Sequence, residues 1–123
     1  YFREPVLSLE QLLADLERMA FYVHRVEGRI VGVAALHAED EGIGRIRWVY
    51  VLPGYQRRGI GTALVAYLEG KAREMGFKRI RLVTVGGADW AVSFYRKLGY
   101  ELADRIERPW GSDAFMEKEL RPK

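Results

Sequence analysis

Residues 48–64 constrain the fold more than any other stretch of the chain. Trp48, Val49, Tyr50 and Val51 form an apolar run with β-branched residues that reads as a buried strand. Pro53 and Gly54 stop it, and a helical pattern starts near Gly61. A strand, a glycine-bearing turn and a helix therefore follow one another. The turn would set consecutive backbone N–H groups of residues 57–62 at the open N-terminus of the helix, and such a cluster binds anions. Gly59 and Gly61 let a phosphate approach the backbone closely and tolerate the positive φ that a tight turn requires. Arg57 and Arg58 add fixed positive charge suited to phosphate oxygens.

Spacing excludes the commoner phosphate motifs. A dinucleotide fingerprint needs a sixth-position glycine, and Gly59-Ile60-Gly61-Thr62-Ala63 is followed by Leu64. The Gly-Lys-Ser/Thr of a P-loop occurs nowhere. Taken alone, Gln56-Arg57-Arg58-Gly59-Ile60-Gly61 is either a phosphate-binding turn or a plain basic turn. Placed between a strand and a helix, it resembles the pyrophosphate-binding signature Gln/Arg-x-x-Gly-x-Gly/Ala of the GNAT superfamily of acetyl-CoA-dependent N-acetyltransferases. A second stretch, from Asp89 through Ala91, Phe94, Tyr95 and Gly99 to Tyr100, is similar to that superfamily's Asn-x-x-Ala-x-x-Phe-Tyr-x-x-x-Gly-Phe. The resemblance covers residues 8–120, and its first strand would precede Tyr1 or begin near Phe2.

The remaining elements follow from periodicity and punctuation. Ser8 with Gln11 has capping-box spacing, and Leu9, Leu12, Leu13, Leu16 and Met19 predict an amphipathic helix to about Met19. Residues 21–26 and 29–36 read as strands joined at Glu27-Gly28, and Gly32 points to a bulge or close packing. The polar segment 37–44, with Glu39, Asp40 and Glu41 together, reads as a loop. Those carboxylates form either a solvated turn or an acidic rim for a cationic amine. Ile60, Leu64, Tyr67, Leu68, Ala72 and Met75 predict the buried stripe of a second helix ended by Gly76, and Gly70 within it hints at close packing. A strand over 79–85, with Ile80, Leu82 and Thr84 on one face, precedes a break at Gly86-Gly87. Asp89 then caps a third helix carrying Ala91, Phe94, Tyr95 and Leu98, and strands follow over 100–106 and 114–120. The whole is one α/β domain, residues 1–123, with a mixed central sheet flanked by helices.

Composition narrows the chemistry. The chain has no Cys, which removes disulfides, thiolate metal sites and a cysteine nucleophile, and its two histidines, His24 and His37, form no metal pattern. No metal is expected. A net charge of +3 favours anionic ligands without a nucleic-acid motif. No segment has the length of a membrane span, so the expectations are a cytoplasmic protein with no membrane and no nucleic-acid partner. Tyr rather than Met at position 1 leaves room for upstream residues.

The resemblance implies further specifics. The strands splay at the acetyl-CoA site, between residues 48–51 and 82–85. The pyrophosphate falls to the backbone amides of Gln56, Arg57, Arg58, Gly59, Ile60, Gly61 and Thr62. Val49, Tyr50 and Val51 pair with the pantetheine arm as if it were an added strand, and one N–H of this strand supports the oxyanion. Tyr95 matches the tyrosine that protonates the departing thiolate, although a tyrosine on an apolar helix face is also commonly core packing. Two family features are missing. The family Asn falls on Ala88, and the general-base positions hold Arg45 and Val83, leaving Asp40 or Glu41 acting through water, with Thr84 as a holder for that water. The acceptor is a small-molecule amine or a protein or peptide amine. Trp48, Tyr50, Trp90, Tyr100, Trp110 and Phe115 supply candidates for its pocket. A non-catalytic acyl-CoA sensor is the alternative, and a homodimer packed through the last strands and Trp110 is compatible with the pattern.

Overall fold

The computed structural model describes residues 9–85, 89–109 and 111–121. The candidate first strand near Phe2, the Ser8 cap, the Gly86-Gly87 break, Ala88 and Trp110 lie outside them. In chain order the elements are α1 (Leu9–Glu17), β1 (Met19–Val26), β2 (Arg29–Asp40), β3 (Ile43–Val51), α2 (Ile60–Glu74), β4 (Arg79–Thr84), α3 (Asp89–Lys97), β5 (Glu101–Arg108) and β6 (Gly111–Glu119). Six strands form one sheet in the order β1-β2-β3-β4-β6-β5, antiparallel except for the β3–β4 pair. That single parallel pair needs a crossover, and α2 supplies it.

Helix α2 covers one face of the sheet. Its buried stripe is Ile60, Leu64, Val65, Leu68, Glu69 and Ala72. Ile46, Ile80 and Leu82 from the central strands and Met116 from β6 complete the core beneath it. Gly32 of β2 is where this packing is tightest. A methyl there would sit 3.1 Å from both Ile60 Cγ2 and Leu64 Cδ1, so the expected close packing is present.

Several expectations are corrected. Met19 belongs to β1, where it pairs with His37, rather than to the first helix. Residues 37–40 are strand, not loop, because the ladder with β3 continues through this polar stretch to Asp40↔Ile43, while the ladder with β1 ends at His37. Only Glu41-Gly42 turns the chain. Tyr67 and Met75 are about half exposed, so the stripe on α2 is narrower than its apolar residues imply. Gly70 has open space where a Cβ would stand, and close packing does not account for it. Asp89 is already the first residue of α3. The last hairpin is longer than its turn residues imply, with Arg108 paired to Gly111.

Candidate active site

The site begins where two parallel strands part. β3 and β4 pair only at Ile43↔Arg79, Gly44↔Ile80 and Arg45↔Arg81. Beyond that rung β3 stays with β2 as far as Val51↔Gly32, while β4 stays with β6 as far as Thr84↔Ala114. Each half of the sheet holds its own outer partner, and the inner edges of residues 46–51 and 82–85 face each other across a cavity of ≈ 1200 Å³. Inner strand edges without a partner strand present N–H and C=O groups that an extended ligand can pair with.

A bulge helps to turn β3 away. Between Arg47 and Tyr50 it advances three residues while β2 advances only two, from Ala35 to Val33. Trp48 sits there with φ 55. A bulky residue in the left-handed region costs about 1–3 kcal/mol. The surrounding ladder holds that strain in place beside the cleft, which Trp48 lines.

The floor is the turn into α2. Gly59 caps the helix with φ 81 and without a side-chain hydrogen bond, a conformation that a residue with a Cβ resists. The first helical bond runs from Ala63 N–H to the Gly59 carbonyl at 2.9 Å. The N–H groups of Ile60, Gly61 and Thr62 therefore have no intrahelical acceptor. Gln56 Nε2 donates to the Val51 carbonyl at 3.0 Å and ties the turn to the end of the strand. Arg57, itself left-handed at φ 63, lines the cavity.

Helix α3 closes the far wall with Trp90, Ala91, Phe94 and Tyr95. The Tyr95 ring packs edge-on against Phe94 at 5.0 Å and Tyr100 at 5.7 Å. Burial pushes its phenol up to about 12, so the proton stays on the oxygen throughout the neutral range. Tyr95 thus lines the cavity from an apolar seat and keeps its phenolic proton.

Residues 1–100 match the profile of the Acetyltransferase (GNAT) family. The chain belongs to the GNAT acetyltransferase family. An acetyltransferase of Sodalis glossinidius is 32% identical over 105 residues, covering 85% of this chain and 72% of its own. An IAA acetyltransferase of Azospirillum brasilense is 34% identical over 118 residues, covering 88% and 76%. A GNAT acetyltransferase of Elizabethkingia anophelis, solved with acetyl-CoA bound, superposes with a TM-score of 0.79 at 20% identity, covering 92% of this chain and 84% of that one. This GNAT domain is an acetyl-CoA-dependent acetyltransferase. Its open sheet flanked by helices is the fold expected from the two motifs.

The cleft suits acetyl-CoA on grounds of its own. It offers a strand edge for an extended arm and open amides for phosphates. Thr84 adds an orphaned polar atom. Its hydroxyl is buried at the cavity wall without a hydrogen-bond partner among the described residues, and an orphan of that kind calls for a ligand or water.

Of the residues singled out from sequence, Val49, Tyr50, Val51, Gln56, Arg57, Gly59, Gly61, Thr62 and Tyr95 line this one cavity. Two do not. The Ile60 side chain is buried in the core, leaving only its N–H at the turn. Arg58 lies over the Tyr55 ring at 5.0 Å, outside the lining. Gly61 is an ordinary helical residue with Phe94 Cζ 3.5 Å from where its Cβ would stand, so the argument from positive φ applies to Gly59 alone.

Among the pocket aromatics, Trp48, Tyr50 and Trp90 line the cavity, whereas Tyr100 is core and Phe115 lines a smaller neighbouring pocket. Asp40 and Glu41 are exposed on the β2–β3 turn, where Asp40 Oδ1 accepts the Glu41 N–H, and neither reaches the cleft. The carboxylate beside the fork is Glu39, which accepts from Arg45 at 3.2 Å and lies 3.9 Å from Arg81. Sequence reasoning named Glu39 within the acidic run but chose its neighbours Asp40 and Glu41 as base candidates, because the segment read as loop. No group of acidic and histidine side chains among the described residues could hold a metal. No described helix is long and apolar enough to cross a membrane.

Proposed function

We propose that the protein transfers an acetyl group from acetyl-CoA to a primary amine by direct attack within a ternary complex. The observation that carries this reading is the opening of β3 from β4 beyond Arg45↔Arg81, directly above the open amides of α2. Acetyl-CoA supplies an activated thioester carbonyl. The chain's part is to bind, orient and move one proton.

The amides of residues 60–62, with Arg57 beside them, hold the pyrophosphate. Val49, Tyr50 and Val51 pair with the pantetheine arm, and an N–H of β3 donates to the thioester oxygen as charge develops there. The amine nitrogen forms a bond to the carbonyl carbon and gives up a proton to water, the carbon–sulfur bond breaks, and Tyr95 donates its phenolic proton to the departing sulfur and regains one from water. A chain without cysteine has no thiol to carry the acetyl group, in keeping with direct transfer.

Tyr95→Phe tests the proton donor. Its kcat should fall on the order of 100-fold, with acetyl-CoA affinity little changed, as befits loss of a general acid. Thiol release against a panel of amines measures the first quantity and calorimetry the second; an unchanged kcat would remove Tyr95 from the mechanism. The acyl-CoA sensor is the second reading, because Arg45 and Val83 stand where the family resemblance implies a glutamate base. Turnover on any amine decides between the two.

A further inference from the structure

The cations of the cleft divide into three kinds, and one has no assigned task. Arg45, Arg47 and Arg57 line the cavity, and no Asp or Glu is among the described lining residues. Arg57 belongs to the phosphate turn. Arg45 is neutralised by Glu39 at 3.2 Å. Arg47 has no carboxylate partner among the described residues and lies over the Trp48 indole at 5.2 Å. It also stands well away from the phosphate turn, since four steps along the strand, roughly 13 Å at 3.3 Å each, separate it from Val51. Its charge therefore sits at the narrow end of the fork, two residues past the last paired rung.

A cationic guanidinium at that end opposes an acceptor whose only charges are ammonium groups. It suits an amine that brings its own anion, because a planar guanidinium accepts a carboxylate in bidentate fashion. Beside Arg47, Trp48 stacks on Phe21 with ring centroids 5.6 Å apart, and both rings are exposed. These rings offer an apolar shelf to the rest of the molecule. Resting on the acyl-transfer reading above, we infer that the acceptor is an amino carboxylate with an apolar side chain, its carboxylate paired with Arg47.

The pairing also answers the absence of a glutamate at positions 45 and 83. An amine must lose its proton before it attacks, and a nearby carboxylate holds that proton on. Once Arg47 neutralises the carboxylate, the ammonium gives up its proton more readily, and water can serve as the acceptor.

The test uses matched amines: phenylalanine, phenylalanine amide and phenethylamine, with spermidine as a polycation. Thiol release should favour phenylalanine over its amide on the order of tenfold or more in kcat/KM, the scale of one charge-assisted pair. R47Q should erase that preference, while its melting temperature and its acetyl-CoA affinity by calorimetry report whether the fold and the cofactor cleft are intact. Equal or better turnover of the amide or spermidine by the native protein would overturn the substrate class and leave acyl transfer standing. Acetyl-CoA binding without thiol release on any amine would overturn both.

Discussion

The two ends of α2 treat buried polarity in opposite ways. At the N-terminus, Gly59 offers no side-chain cap, and the amides of residues 60–62 are left without acceptors inside the helix. Further along, Glu69 is buried yet fully engaged. Tyr100 O–H donates to it at 2.8 Å, Lys118 Nζ at 3.0 Å, and Arg73 lies 4.0 Å away. Lys118 also donates to the Leu98 carbonyl at 2.7 Å, so this cluster fastens α2 to the end of α3. Burial raises the Tyr100 phenol well above its ordinary range, with the Glu69 carboxylate adding to the effect, so the hydroxyl remains a donor. One end keeps donors open for a ligand, and the other closes every donor to hold the two helices that wall the cleft. Unsatisfied groups mark binding, and satisfied ones mark support.

Separating the two ends by mutation sharpens that contrast. Glu69→Gln has the largest expected effect, because it leaves Lys118 beside an uncharged partner. Stability should fall by about 3–5 kcal/mol, as for a broken buried pair. Urea denaturation would show this, and acetyl-CoA affinity measured well below the melting point should change little. Gly59→Val should do the reverse. It opposes the left-handed cap and crowds the amides, lowering acetyl-CoA affinity on the order of 100-fold, or about 2.7 kcal/mol. The fold loses only the strain of a β-branched residue at positive φ, about 1–2 kcal/mol. Equal losses of stability and affinity in both variants would erase the distinction between the ends. The smallest effect belongs to Gly70→Ala, midway along the helix. With open space at the Cβ, helix propensity alone should raise stability by about 1 kcal/mol, read as a higher denaturation midpoint with unchanged turnover.

Local chemistry was the most legible part of the sequence. Pro53, Gly54 and Gly59 break one strand and start one helix, and these signals act over a few residues, so the turn lies where its letters place it. Gly76 and Gly99 end their helices for the same reason, with φ of 84 and 97. The strand ends were less legible, since the stretch 37–40 reads as polar and becomes strand only through its pairing, with β1 and β3 at His37 and with β3 alone beyond it. Glu69 gives no sign of burial in the sequence, because a glutamate in an amphipathic helix ordinarily faces solvent, and its partners lie 31 and 49 positions away. The position of the cleft came from the family resemblance. Its physical cause, β3 and β4 each keeping a separate outer partner, is a property of pairing that periodicity does not encode.

The most direct test of the account is a calorimetric titration of the protein with acetyl-CoA. A cleft with an unpaired strand edge above open helix amides should bind one equivalent with a Kd of about 1 μM, near −8 kcal/mol. The absence of binding heat at cofactor concentrations up to roughly 1 mM, where even about −4 kcal/mol would register, would contradict it.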